Sequence, residues 1–436
     1  MCKNLVILVS LTLMLIFSGN AVAVLTDTAW DNDDMDQSWS NGNNWQYNAV
    51  PGAAWRATIG LTGSNGAIIS SDVGQVGQVV IGTRSDGEVD MTGGAIEVVG
   101  DSDDGGDFVV GQDAKGTFNL SNGSMTMERL QIGMDDGSAG SKMTMIGGSI
   151  NSSNQTRIGS GHDNAEGTLD MQAGTITTDN AIKVGSESGT GTLLMSGGII
   201  DASGQWCEIA DNGGDGTFNI SGGQFLARRL GVGMDGGGTA SATISGTADI
   251  DLQQHMYIGR SGTAGSVIMS GGSISIGSPG DPRELRMAGN SSSVASLEMT
   301  GGEISMTGDM EVGTDGGDAT VELHGGIISA LNLTMGDLGK AVLDLSNAQA
   351  AGSGYGSYVL DAALILEGDK TVELQTLLLN GQITEDGGTL TDYVLEYNCT
   401  ATGSVVEGTV LMAVPEPATI ALLSIGAFAV FRRKRC

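Results

Sequence analysis

Few side chains in this sequence are of the types that do chemistry, and their spacing narrows them further. The three histidines, His162, His255 and His324, fall far apart. No two stand at the short spacing that lets side chains share a metal ion, so all three are expected to be solvated surface residues. Cys207 could act as a nucleophile only beside a base that activates it. The sequence suggests none, and Cys207 is expected to be a small core residue. Acidic clusters recur at Asp101 to Asp104, Met134 to Gly137, Asp211 to Asp215 and Asp315 to Asp318. Stacked carboxylates could meet the roughly six to eight oxygens that Ca²⁺ takes. Yet the glycine-rich calcium nonapeptide is missing, and Asp favours turns unaided. Structural turns are the preferred reading, no cofactor is expected, and Ca²⁺ is the one alternative. The best remaining patch is Arg157, Lys183 and Glu208 with Trp206 beside them: two cations, a carboxylate and an aromatic ring, suited to a sugar polymer.

These residues are positioned by a ladder of repeats. The segment GTFNLSNGSMTMERLQIG (Gly116 to Gly133) returns along the chain, for example as GTFNISGGQFLARRLGVG (Gly216 to Gly233). Each unit has an apolar anchor: Met91, Leu120, Met145, Met171, Met195, Ile220, Ile244, Met269, Met299, Leu323 and Leu345. The period is about 25 residues, inside the range of stacked repeats. Two residues before every anchor stands another apolar side chain, and the residue between is mostly polar, as at Asp90, Asn119 and Asp170. Period-two alternation marks a strand with one buried face. A further apolar position follows most anchors by five residues, as at Ile150 and Ile176. A third apolar pair, such as Ile182 and Val184, closes the unit and is usually followed by glycine.

Three short strands per turn, with Gly- and Asp-rich corners, predict an all-β fold. It is a single-stranded parallel β-solenoid (β-helix) of about eleven coils over residues 76–348, with a β cap at each end. At about 4.8 Å per coil the stack would run roughly 50 Å. A β-sandwich also has short alternating strands, but it would not require the same position to be apolar in eleven consecutive units. No stretch between residues 60 and 410 keeps a 3.6-residue period, so no helix is expected there. In this frame Arg157, Lys183 and Glu208 occupy the outward position of the third strand on successive coils. Cys207 points inward with Ile182 and Leu230.

Exposed ends of a stack must be covered. Residues 24–75, with Trp30, Trp39, Trp45 and Trp55, are expected to form the N-terminal cap. Residues 349–413, carrying TVELQTLLLNGQIT and TDYVLEYNCT, are expected to supply longer strands to the C-terminal cap. The formal net charge of −32 argues against nucleic-acid binding, which needs a basic stripe. A hydrophobic content of 40% is too high for a disordered chain of that charge. Residues 1–23 read as a cleaved signal peptide: Lys3, an apolar run from Leu5 to Phe17, then Ala21-Val22-Ala23. Export implies an oxidising environment, yet Cys207 and Cys399 alone do not make a disulfide framework.

The chain finishes with Pro415-Glu416-Pro417, an apolar run from Ala418 to Phe431, and the basic cluster Arg432, Arg433, Lys434 and Arg435. The run is shorter than the roughly 20 residues of an ordinary membrane span, and the basic cluster would stay on the cytoplasmic side. This order, over residues 414–436, resembles the PEP-CTERM protein-sorting segment of exported Gram-negative-type bacterial proteins. The resemblance implies transient inner-membrane anchoring, an exosortase-type transpeptidase as partner, and removal of the tail near the triplet. A plain C-terminal membrane anchor is the alternative. Trp39-Ser40-Asn41-Gly42-Asn43-Asn44-Trp45, followed by Val50-Pro51-Gly52, resembles the opening segment of autotransporter-type and surface β-helix proteins.

The expectation is therefore an exported, non-enzymatic structural or adhesive protein of the cell surface or matrix. A catalytic site usually interrupts a regular ladder with long loops. Only the 29-residue interval before Leu120 and the 30-residue interval before Met299 leave room for one. The alternative is a polysaccharide-binding or polysaccharide-degrading β-helix with Arg157, Lys183, Glu208 and Trp206 in its groove.

Overall fold

The computed structural model describes residues 25–61, 66–100, 106–336, 341–345 and 363–385, with parts of 388–413. Residues 1–23, expected to be a signal peptide, the tail 414–436, the acidic cluster 101–104 and Cys399 lie outside the described residues.

Alternation in the sequence becomes alternation in burial. In Gly116–Leu120 the side chains of Phe118 and Leu120 are buried while Thr117 and Asn119 are half-buried. Such a strand cannot hide its apolar face alone, so the next unit stacks on it. The inward column runs in register from Val89 through Phe118, Met143, Leu169 and Leu193 to Phe218. It continues through Ala242, Val267, Leu297 and Val321 to Leu343, and every member is sequestered from solvent. Each large apolar side chain so buried stabilises by about 1.5–3 kcal/mol. A one-residue slip would turn a whole strand's apolar set outward, so the register is strongly fixed.

Among the described residues 34 strands join one continuous sheet, wound as a parallel β-solenoid of about 12 turns. Each turn has three faces, exemplified by Gly116–Leu120, Ser124–Met127 and Arg129–Ile132. The corner after the third face demands left-handed backbone. Gly185 takes φ 68° there, and Ala210, its neighbour one coil on, takes φ 56°. The 30-residue interval places its extra length in the loop 277–284, between the second and third faces, where Ser278 bridges Asp281.

Parallel stacking runs past both boundaries expected for the caps. Thr26–Ala29 pairs with Trp55–Ile59, which pairs with Gln78–Ile81. Ala67–Ile69 stacks on Val89–Met91, ahead of the first sequence anchor. Trp30, Trp39 and Trp45 are fully buried at this end. Trp45 meets Trp30 and Trp39 edge to face at 5.1 and 4.7 Å, and its indole N–H donates to the Trp39 carbonyl at 2.9 Å. The polar residues between them fix the segment: Asn41 donates to Asp34 and Asp36 and accepts from the Asn43 amide. The Trp39–Trp45 segment is thus a plug over the open end of the core.

At the other end Ala363–Leu366 stacks in parallel on 327–330, and Thr409–Ala413 then pairs with it antiparallel. A strand forms at Tyr393–Tyr397, as expected, and also pairs antiparallel with Thr409–Ala413. The expectation for TVELQTLLL is overturned: Thr371–Leu379 is an α-helix. Leu374, Leu377 and Leu378 lie at helical spacing and turn toward the core. The Asp369 carboxylate accepts from both the amide and the hydroxyl of Thr371, starting the turn.

Candidate functional site on the third face

The outward column of the third face is Gln131, Arg157, Lys183, Glu208, Gly231, Tyr257, Arg286 and Glu311, in register on successive coils. Parallel stacking thus brings Arg157, Lys183 and Glu208 side by side. Each already has a partner. Lys183 Nζ lies 2.7 Å from Asp211 and 3.3 Å from Glu208. Burial alone would depress this ammonium, but the hydrogen bond to Asp211 and the charge of Glu208 hold it above its ordinary value. Burial pushes the Glu208 carboxyl up, against the pull of Lys183, and Asp211 adds to the rise. Arg157 donates to the Gln155 side chain at 2.7 Å and lies 3.9 Å from Glu187. The arrangement is an ion ladder, with Asp211 drawn in from an acidic corner.

Lys183→Ala is expected to lower stability by about 1–3 kcal/mol, because the half-buried Glu208 and the buried Asp211 carboxylates then face each other uncompensated. The loss is fullest near neutral pH. It shrinks as pH falls, because protonation removes the repulsion and a carboxyl with a raised folded pKa favours the fold when protonated. Thermal unfolding of both proteins at neutral and mildly acidic pH measures this; equal losses at both would count against the clamp.

Trp206 stands beside the ladder, one position before Cys207, and the Arg229 guanidinium covers its ring at 4.4 Å. Arg229 also donates to the Gln254 side chain at 2.7 Å. Arg260 lies over the Tyr257 ring at 5.1 Å. Sequence reasoning passed over Arg228, Arg229 and Arg260. The signal was present, because aligning Cys207 with Leu230 places Arg229 next to Trp206.

One histidine departs from expectation. His255 is 9% exposed, with its ring 5.8 Å from that of Tyr257 and Nδ1 3.1 Å from Glu284. Burial first, then Arg229, Arg283 and Arg286, outweigh Glu284 and lower its pKa. Sequence spacing could not show this, because Arg283 and Glu284 arrive from the neighbouring coil's loop. The folded imidazole resists a proton that the unfolded chain accepts near pH 6.5. Its contribution is therefore intact above that pH and lost as pH falls through the lowered folded value. His255→Gln is expected to flatten the fall of melting temperature on acidification through this range; an unchanged slope would refute the assignment.

His162 is exposed, 3.3 Å from Asp135, and His324 is half-buried, 3.7 Å from Glu322. Cys207 stacks between Ile182 and Leu230, fully buried. Burial pushes its thiol far up, which leaves no thiolate for nucleophilic work. Among the described residues no group of three or more His, Cys, Asp or Glu side chains is placed to hold a metal ion.

The third face thus offers charges and amides along a rod. Where the rod is sent is written in the last segment, where residues 413–435 match the PEP-CTERM protein-sorting motif. The chain carries a PEP-CTERM sorting signal. The match includes the Pro415-Glu416-Pro417 triplet and the basic cluster Arg432 to Arg435. The PEP-CTERM motif implies recognition by an exosortase, export, and sorting to the cell surface. Among the described residues no helix is long and apolar enough to cross a membrane; the apolar run of the motif lies outside them. No curated protein and no solved structure matches the chain.

Proposed function

We propose that this protein is a non-enzymatic structural or adhesive rod of the cell surface or extracellular matrix, held at the inner membrane through its PEP-CTERM segment and then released. The observation that carries the reading is the unbroken register of the third face. Nine outward residues, from Val109 to Glu311, stack coil upon coil in register. An enzyme of this architecture would need a loop-walled site. The loop at 277–284 turns back on itself, with Arg283 bound to Asp281 at 2.9 Å and the Thr307 hydroxyl donating to the Asp281 carbonyl. The test is to purify the exported protein and assay it against a panel of polysaccharides. Binding without turnover fits the proposal; a specific hydrolase or lyase activity sinks it.

A polysaccharide-binding or polysaccharide-degrading role is the second reading. What favours it is the juxtaposition of Arg157, Lys183 and Glu208 with Trp206 close by. Unchanged glycan binding by Arg157→Ala and Lys183→Ala would remove that site from consideration.

A further inference from the structure

The chain has 19 basic residues against 51 acidic ones, so a cation without a carboxylate beside it is unusual. On the third face Arg157, Lys183 and Arg286, and Arg283 in the loop before it, are each paired with acidic side chains. Arg228, Arg229 and Arg260 differ. Among the described residues no carboxylate stands within ion-pair distance of any of them, and they cluster on two consecutive coils beside a third that carries Trp206. Arg229 and Arg260 lie over the faces of Trp206 and Tyr257. Between the two rings the outward column has no side chain, because the position is Gly231; the Met234 side chain folds into the space that a Cβ would take. The result is a low saddle of three arginines, two half-buried rings and the amides of Gln205 and Gln254.

We infer that this saddle binds a carboxylate-bearing polysaccharide lying along the rod. Arginine forks pair with planar carboxylates in bidentate fashion. The two amides suit the hydroxyl groups that flank each sugar carboxylate, and the rings supply apolar area to sugar faces. The surface is a shallow sheet, which takes an extended chain and has no groove for a duplex. Single-stranded DNA offers the arginines an anion but none of the hydroxyl groups that the two amides suit. The inference rests on the exported location argued above.

The exported protein is run by native electrophoresis through gels containing sodium polygalacturonate, its methyl ester, or single-stranded DNA. Retardation is expected in polygalacturonate and in neither of the others. The variant Arg228→Gln/Arg229→Gln/Arg260→Gln should weaken that retardation by about tenfold or more. Arg84→Gln/Lys115→Gln, which removes two exposed charges elsewhere, should not change it. Circular dichroism of the triple variant confirms that the solenoid is retained; if it is not, the single variants Arg228→Gln and Arg260→Gln replace it. Retardation that survives the substitutions, or that DNA reproduces equally, overturns the inference. So does self-association of the wild type at low salt that the triple variant abolishes, without polygalacturonate binding. Tail processing is read separately by mass, so failure here leaves the sorting assignment standing.

Discussion

Replacing Pro415, Glu416 and Pro417 together by alanine is expected to leave the tail on the protein and the protein in the envelope fraction. Two prolines fix φ, withhold backbone donors and disfavour helix in the residues before them. They therefore punctuate the chain between the exported part and the apolar run. Alanine is the best helix former, so the variant erases that boundary along with the only carboxylate in the triplet. The apolar run and the basic cluster remain, and together they are expected to go on arresting the chain at the membrane. Intact-mass measurement on medium and envelope fractions reads the result. The wild type should appear outside the cell without its signal peptide and tail; the variant should keep the tail and stay in the envelope. Normal trimming and release of the variant would refute the role given to the triplet. Changing Arg432, Arg433, Lys434 and Arg435 to glutamine should fail differently, because the arrest itself is weakened.

The second large effect is expected at a corner. Gly185 has φ 68°, and a Cβ built there would lie 1.9 Å from the carbonyl oxygen of Asp215 in the next coil. Gly185→Ala therefore incurs about 1–2 kcal/mol of left-handed strain and about 1–3 kcal/mol of overpacking. Against a typical total of about 5–15 kcal/mol, that is a severe loss. The adjacent coil separates the two contributions. Ala210 occupies the same corner at φ 56° and is accommodated, so there only the strain applies. Ala210→Gly should be neutral or raise the melting temperature slightly, while Gly185→Ala should lower it by several degrees. Near-equal melting temperatures for Gly185→Ala and the wild type would show that the corner yields more easily than its geometry implies.

The inward columns were legible because two periods act on them at once. Alternation every second residue selects the face, and the unit of about 25 residues selects the neighbour above. Hence Val89, Phe118 and Met143 could be aligned from sequence and do stack. The outward column was legible for the same reason, including Arg157, Lys183 and Glu208. What the outward residues bind was not. Asp211 reaches Lys183 from a corner, and Glu284 reaches His255 from the loop 277–284. Such contacts depend on side-chain reach across coils, which period does not encode. The strand Ile199–Asp211 shifts register against its neighbour between Ala202 and Trp206, and only the alignment of Cys207 with Leu230 beyond that shift places Arg229 beside the Trp206 ring. The helix at Thr371–Leu379 hid among exposed apolar residues: Val372 is 72% and Leu379 89% exposed. They blur the three-and-four spacing of Leu374, Leu377 and Leu378 that marks it.

Because each coil contacts mainly its two neighbours, whole coils are interchangeable units of length. Duplicating one in the gene would lengthen the rod by about 4.8 Å while preserving every register above and below it. The tryptophan plug, the antiparallel end and the sorting tail would be unaffected. Partial insertions are accommodated only at corners, as the loop 277–284 shows. The length of the rod is then a quantised, inheritable trait that changes by whole coils.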